Sequence, residues 1–166
     1  MKLFLSIFIL LTSLTTYSQY TKFEDAKQFK FLTISGQPNK STIDKIKDQK
    51  FDMIIDIRNP GEHTEFNEGD YAKEKGIAYY NVPFFDKDKK ISKKNIENIT
   101  KLVQKNQDKK VFIHCSSGNR VSGWLLVHLT QDHGMEMSKA LEVTTKTGLT
   151  KEDFKNKVIK FIKEKY

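Results

Sequence analysis

The chain's only cysteine lies in a polar stretch that directly follows an apolar run. Residues 111–120 read VFIHCSSGNR, so a histidine precedes Cys115 and four residues separate it from Arg120. A turn of small residues that leads into a helix can direct several backbone N–H groups at one point. A planar guanidinium can hold two oxygens of a tetrahedral anion, and the same positive field favours a thiolate over a thiol. The stretch therefore predicts an anion-binding loop that carries a nucleophile.

The neighbouring residues have narrower predicted roles. Gly118 provides the backbone freedom that such a loop needs. His114 is expected either to orient the loop by hydrogen bonding to backbone or simply to fill the end of a strand. The residues predicted to bind the anion are Ser116, Ser117, Gly118, Asn119 and Arg120.

The sequence HCSSGNR resembles the active-site signature of the cysteine-dependent protein tyrosine and dual-specificity phosphatases. More narrowly, the order ISGQP, IIDIR, GIAYYNVP, the cysteine loop and KTGLT is similar to the bacterial beta-lactamase-hydrolase-like phosphatase family, over most of residues 29–165. This resemblance implies a phosphocysteine intermediate on Cys115 and a phosphate held by Arg120. It also implies a phosphorylated protein or a small phosphoester as substrate, and no cofactor.

Phosphatases of this superfamily protonate the leaving oxygen with an aspartate some thirty residues before the cysteine. The resemblance therefore implies a general acid within VPFFDKDKK, where Asp86 suits the spacing better than Asp88. A carboxyl in that role must be able to swing over the anion-binding loop. The alternative is an ordinary solvated aspartate among lysines.

Two departures from the phosphatase pattern leave other functions open. Phosphatases usually place five residues between cysteine and arginine, and a serine or threonine directly after the arginine. Here the spacing is four, Val121 follows the arginine, and Ser122 is the nearest candidate for a supporting hydroxyl. The shorter loop and the stretch IIDIRNPGEH resemble rhodanese sulfurtransferases, which carry a persulfide on the cysteine. A non-catalytic module that binds phosphate or phosphopeptides is the third reading.

Strands alternate with helices along the chain. Predicted strands cover residues 29–34, 51–57, 77–83 and 109–114. The first predicted helix begins at Ser41, the second covers residues 68–75, and the third follows a cap at Ser92. Two more predicted helices cover residues 121–129 and 138–147. A last helix is expected after a capping box of Thr150 and Asp153. The pattern predicts an α/β fold of the dual-specificity-phosphatase type, with a mostly parallel central sheet flanked by helices. Sites of such sheets lie beyond the carboxyl ends of the strands, where Cys115 is placed.

The N-terminal eighteen residues read as a secretory signal peptide, with Lys2 followed by an apolar run. Residues 19–166 are then expected to form one exported domain, periplasmic or secreted, without a membrane segment. The formal net charge of +8 favours anionic substrates. Lysines are spread over all but one of the predicted helices rather than gathered on one face, which argues against nucleic-acid binding. The spacing of His63, His128 and His133 implies no metal, and Arg58 is expected to be a surface residue.

Overall fold

The computed structural model describes residues 26–62 and 66–166. The predicted signal peptide lies outside them, and so does His63. Within the described residues, strands and helices alternate as the hydrophobic pattern predicts, in the order β1 (Lys27–Phe29), β2 (Leu32–Ser35), α1 (Lys40–Asp48), β3 (Met53–Asp56), α2 (Glu68–Glu74), β4 (Ala78–Asn81), α3 (Lys93–Lys105), β5 (Val111–His114), α4 (Asn119–Gln131), α5 (Met137–Thr147) and α6 (Glu152–Lys165).

The described strands form one sheet in the order β1-β2-β5-β3-β4. β5 lies at its centre and runs parallel to β2 and β3, β4 runs parallel to β3, and β1 pairs antiparallel with β2. The predicted α/β fold with a mostly parallel sheet is therefore confirmed. The register aligns the ends of three strands, since His114 pairs with both Ser35 and Asp56.

Helices cover both faces of the sheet because successive residues of a buried strand point to opposite faces. Ile54 and Phe112 pack against α1 and α2 on one face, whereas their neighbours Ile55 and Ile113 pack against the layer of α3, α4 and α6 on the other. Trp124, in the middle of α4, is fully buried within this larger layer. The site-bearing strand β5 is thus enclosed on both faces, and its buried end leads directly into the cysteine loop.

The structure corrects three details of the sequence-based prediction. Residues 29–34 form two strands rather than one, because Lys30 adopts a positive φ of 51° and the chain reverses there. Asn39, rather than Ser41, caps α1 by accepting a hydrogen bond from the Thr42 N–H. At the start of α6 the predicted capping box is wrong: Lys151 occupies the cap position, and its own side chain makes no capping hydrogen bond.

The helix predicted after Ser92 is confirmed, since the Ser92 hydroxyl accepts a hydrogen bond from Asn95 N. None of the described helices combines the length and the apolar character needed to cross a membrane.

Candidate active site

The cysteine loop joins the central strand to the most buried helix. β5 ends at His114, and α4 begins at Asn119 with Gly118 as its N-cap in the left-handed region, at φ 80°. Because β2 and β3 flank β5 in parallel, the loop lies at the carboxyl ends of three strands. This is the edge at which α/β sheets bind ligands. The positive φ predicted for Gly118 is present.

The segment after β2 holds the loop from one side. The Gln37 N–H donates to the Ser116 carbonyl at 3.3 Å, and the Cys115 N–H donates to the Ser35 carbonyl at 3.4 Å. Gly36 lies so close that a Cβ there would stand 3.1 Å from the Ser116 oxygen. Sequence reasoning used ISGQP only as a point of resemblance, and did not anticipate that Gly36 allows this close backbone approach.

Cys115 lies beneath the loop with only 1% of its surface exposed. Arg120, at the other end of the loop, interacts with its side chain. Burial by itself would lower the pKa of Arg120, but its hydrogen bonds to Glu62 and its interaction with Cys115 outweigh burial and raise it. The structure therefore places the predicted anion-binding guanidinium near the predicted nucleophile, which is itself buried.

Glu62, which sequence reasoning missed, forms a two-pronged ion pair with Arg120. Nη1 of Arg120 donates to Oε1 at 2.7 Å, and Nη2 donates to Oε2 at 2.6 Å. The hydroxyl of Ser116 donates to Oε2 at 3.1 Å and accepts from Nη2 of Arg120 at 2.5 Å. The hydrogen bonds from Arg120, its charge and the Asn59 N–H lower the pKa of Glu62 to about 2, although burial opposes the change.

A cleft of about 780 Å³ opens over the loop. Its lining includes Ser116, Ser117, Asn119 and Arg120 from the loop and helix, together with Glu62 and Asp86 from two neighbouring loops. Phe85 contributes an aromatic wall, and its ring centroid lies 5.7 Å from Cζ of Arg120. A polar floor with an aromatic wall suits an anionic group attached to an apolar body.

Asp86 borders the cleft, but its carboxylate is engaged within its own turn. Oδ1 accepts hydrogen bonds from the N–H groups of Asp88 and Lys90, both at 2.9 Å. Lys89 takes a positive φ of 58°, which tightens this turn. Asp88 is exposed and does not line the cleft. Of the two aspartates, Asp86 is thus the one that faces the site.

Two further residues with predicted roles turn away from Cys115. The side chain of Asn119 is nearly buried, and Oδ1 accepts hydrogen bonds from Thr150 N at 3.0 Å and Lys151 N at 2.9 Å. Ser122 is fully buried, and its hydroxyl accepts a hydrogen bond from Thr147 at 3.2 Å. Both side chains therefore fasten α4 to the C-terminal helices.

A buried ionic cluster lies directly behind the loop. Arg58 is 1% exposed, so the expectation of a surface arginine is wrong. Its guanidinium binds Asp56, at the end of β3, at 2.8 Å and Glu68, at the start of α2, at 2.5 Å, because two buried carboxylates require a cation. Tyr79 donates to Asp56 at 2.8 Å. His114 lies with Nε2 2.7 Å from Glu68 Oε1 and Nδ1 3.4 Å from the Cys115 carbonyl.

The same cluster offers ligand atoms at metal-compatible spacing. Atoms of Asp56, Glu68 and His114 all lie within 4.8 Å of one another. Arg58, however, already donates to both carboxylates. The guanidinium therefore supplies the positive charge that a metal would bring, and the donor set does not fit a resident metal ion.

The fold and the site define a cysteine-loop α/β protein, and comparison with known proteins places it in a family. The model of the Rhodanese-like domain matches residues 39–143. The match covers more than half of the chain, which thus belongs to the rhodanese-like domain family. No curated protein matches the chain.

Solved structures with the same fold are phosphatase-like. A DUF442 protein of Shewanella putrefaciens CN-32 aligns with a TM-score of 0.67 and 20% identity, covering 84% of this chain and 87% of its own. Tk-PTP, in its active form, aligns with a TM-score of 0.67 and 19% identity, and the alignment covers 87% of this chain and 100% of Tk-PTP. PTPMT1 aligns with a TM-score of 0.62 and 18% identity, and the alignment covers 80% of this chain and 90% of PTPMT1. The predicted dual-specificity-phosphatase-like fold is thus confirmed.

Proposed function

We propose that the protein is a cysteine-dependent phosphatase that acts on phosphomonoesters. The observation that carries this proposal is that Arg120, which interacts with the buried Cys115, lines a cleft that Asp86 also borders. A thiolate beside a guanidinium is a nucleophile placed against an anion-binding group. The fold shared with Tk-PTP and PTPMT1 supports the proposal.

The proposed reaction has two steps. The Cys115 thiolate attacks phosphorus, the bond to the ester oxygen breaks, and the Asp86 carboxyl transfers a proton to the leaving alcohol. Water then attacks phosphorus and transfers a proton to the Asp86 carboxylate, the phosphorus–sulfur bond breaks, and inorganic phosphate and the Cys115 thiolate are released. Throughout, Arg120 and the loop amides stabilise the charge on the phosphoryl oxygens. Asp86 reaches the site only after its Oδ1 leaves the turn amides of Asp88 and Lys90.

A second candidate function is sulfur transfer. Membership of the rhodanese-like domain family and the four-residue spacing between Cys115 and Arg120 favour it. In that case the thiolate attacks the outer sulfur of a donor such as thiosulfate, and sulfite leaves. An acceptor such as cyanide then attacks the outer sulfur of the persulfide, which gives thiocyanate and returns the thiolate. This chemistry needs no general acid, so the engaged carboxylate of Asp86 would be no obstacle.

One parallel assay separates these candidates. The purified protein and a Cys115→Ser control are given p-nitrophenyl phosphate in one series, and thiosulfate with cyanide in the other. We expect phosphate release that falls by at least about 10³-fold in the control. Thiocyanate formation without phosphate release would establish sulfur transfer instead. Inactivity in both series, with phosphate-analogue binding retained, would identify a non-catalytic binding module.

The role of Asp86 is tested by a pair of substitutions in the same turn. Asp86→Asn keeps an oxygen that can accept from the turn amides, so the turn is preserved, but it removes the proton donor. We expect hydrolysis of an alkyl phosphate to fall by about 10²-fold or more, as for other general acids. Asp88→Asn, outside the cleft, is the control with unchanged activity. Equal activity of both variants would remove Asp86 from the mechanism.

We also propose that residues 1–18 direct export and are removed. The apolar run behind Lys2 supports this. Fractionation of the producing cell followed by N-terminal sequencing tests it: we expect an exported protein that begins near Gln19. A cytoplasmic chain that keeps Met1 or Lys2 would contradict the proposal.

A further inference from the structure

We infer that Glu62 is the resting ligand of Arg120, and that a substrate anion binds by displacing it. This inference rests on the proposed function, since it concerns the same anion-binding loop. It adds an internal competitor that sets the affinity of the loop for oxyanions.

The donors of Arg120 are committed to side chains of its own chain. A guanidinium has five N–H groups and holds an oxyanion through two parallel ones. Nη1 donates to Glu62 Oε1, while Nη2 donates both to Glu62 Oε2 and to Ser116 Oγ. Arg120 also interacts with the side chain of Cys115. Both terminal nitrogens, which together can hold an oxyanion, are therefore occupied, and an incoming phosphoryl group must replace a present partner to be held by the two of them.

Glu62 is the partner whose departure frees both terminal nitrogens, since Ser116 accepts only from Nη2. Its side chain is 36% exposed and lines the cleft, whereas the Arg120 side chain is 12% exposed and packs near Phe85. A rotation of Glu62 into solvent rehydrates its carboxylate, and the backbone N–H of Asn59, which now donates to Oε1 at 2.9 Å, is partly exposed and can bind water. Arg120 stays in place, and its two terminal nitrogens become available to bind the substrate anion.

The negative charge of Glu62 also opposes the binding of an anionic substrate to Arg120. A carboxylate on Arg120 neutralises the guanidinium, and it also repels a phosphomonoester that approaches through the cleft. Because the pKa of Glu62 is about 2, the carboxylate remains ionised at every pH at which the protein would work. The resting site therefore has a lower affinity for oxyanions than an arginine loop without such a partner.

A permanent structural brace is the alternative role for Glu62, and it predicts the opposite effect. A brace orients the guanidinium, so its removal would weaken anion binding. A competitor occupies the guanidinium, so its removal would strengthen anion binding. Binding of an oxyanion that does not react thus separates the two roles without any need for turnover.

The experiment is calorimetric titration with tungstate of the wild-type protein, Glu62→Gln, Glu62→Ala and the control Glu142→Gln. Glu142 is an exposed residue of α5 that pairs with Lys146 and does not line the cleft. We expect Kd to fall by about tenfold or more in both Glu62 variants and to stay unchanged in the control, with melting temperatures near that of the wild-type protein. The use of two variants guards against misfolding of one.

Equal or weaker tungstate binding by the Glu62 variants would overturn the inference. If phosphate release from p-nitrophenyl phosphate persists in that case, only the displacement by substrate fails and the proposed function stands. If tungstate binds to none of the variants and phosphate release is absent as well, both the inference and the proposed function fail.

Discussion

His114 Nε2 lies 2.7 Å from Glu68 Oε1, and both side chains are buried behind the cysteine loop. Together with Asp56 and Arg58 they form a cluster in which two carboxylates face a guanidinium and an imidazole. Removal of one charge from such a buried group leaves its partner uncompensated. The rigidity of the loop base therefore depends on Glu68.

We expect Glu68→Gln to lower the free energy of unfolding by about 3 kcal/mol or more, the usual cost of breaking a buried pair from one side. Urea denaturation measures this. Glu74→Gln, the same substitution on the exposed side of α2, is the control and should change stability by less than about 0.5 kcal/mol. A similar loss in both variants would show that the cluster contributes nothing specific.

Acid should lower the free energy of unfolding through protonation of Asp56. Burial alone would raise the pKa of Asp56, but the hydrogen bonds from Arg58 and the charge of His114 outweigh it, so the pKa lies below its ordinary value of 3.8. A carboxyl whose pKa is depressed by folding stabilises the folded state above the unfolded pKa. That stability is lost as the pH falls below 3.8 and through the folded pKa. Urea denaturation between pH 6 and pH 3 should show a steeper loss in the wild-type protein than in Asp56→Asn, and parallel profiles would contradict the assignment.

Gly118 should matter to anion binding beyond its effect on stability. Its φ of 80° is costly for any residue with a Cβ, by about 1–2 kcal/mol. Gly134, at φ 60° with open space around it, carries a similar backbone cost. We expect both Gly118→Ala and Gly134→Ala to destabilise the protein by about 1 kcal/mol, whereas only Gly118→Ala weakens tungstate binding. Equal tungstate affinities in the two variants would show that anion binding does not depend on the backbone conformation at Gly118.

The chain's only tryptophan should report the titration of His128. The two rings stack with centroids 5.2 Å apart, and His128 Nδ1 lies 2.7 Å from Asp132. Burial lowers the pKa of His128 below its ordinary 6.5, although Asp132 opposes the change. Because the unfolded chain binds this proton more readily, stability should fall as the pH drops below 6.5. Trp124 fluorescence should change with a midpoint below 6.5 and lose that change in His128→Gln; a midpoint above 6.5 would contradict the assignment.

The sequence predicted the elements whose determinants are local. VFIH is apolar enough to identify a strand buried on both faces, and the small residues after it identify a loop leading into a helix. Hence β5, α4 and the positions of Cys115 and Arg120 could be inferred before the structure was known. The fold class followed from the alternation of strands and helices in the same way.

What the sequence did not predict depends on distant pairs. Glu62 follows a turn that nothing local connects to Arg120, and the burial of Arg58 depends in part on Glu68, which is distant in the chain but adjacent in space. The start of α6 shows the same limit: the amides of Thr150 and Lys151 are bound by Asn119 rather than by a local capping box. Contacts between residues far apart in the chain leave no periodic signal.

The attachment of α6 to Asn119 has a consequence for any engineering of this scaffold. The segment that leads into the final helix is not dispensable, because the amides of Thr150 and Lys151, just before α6, donate to Asn119 at the end of the cysteine loop. A chimera that transplants residues 115–120 alone would leave that amide oxygen without its donors and the loop without its outer anchor. Residues 150–151 therefore have to be transferred together with residues 115–120.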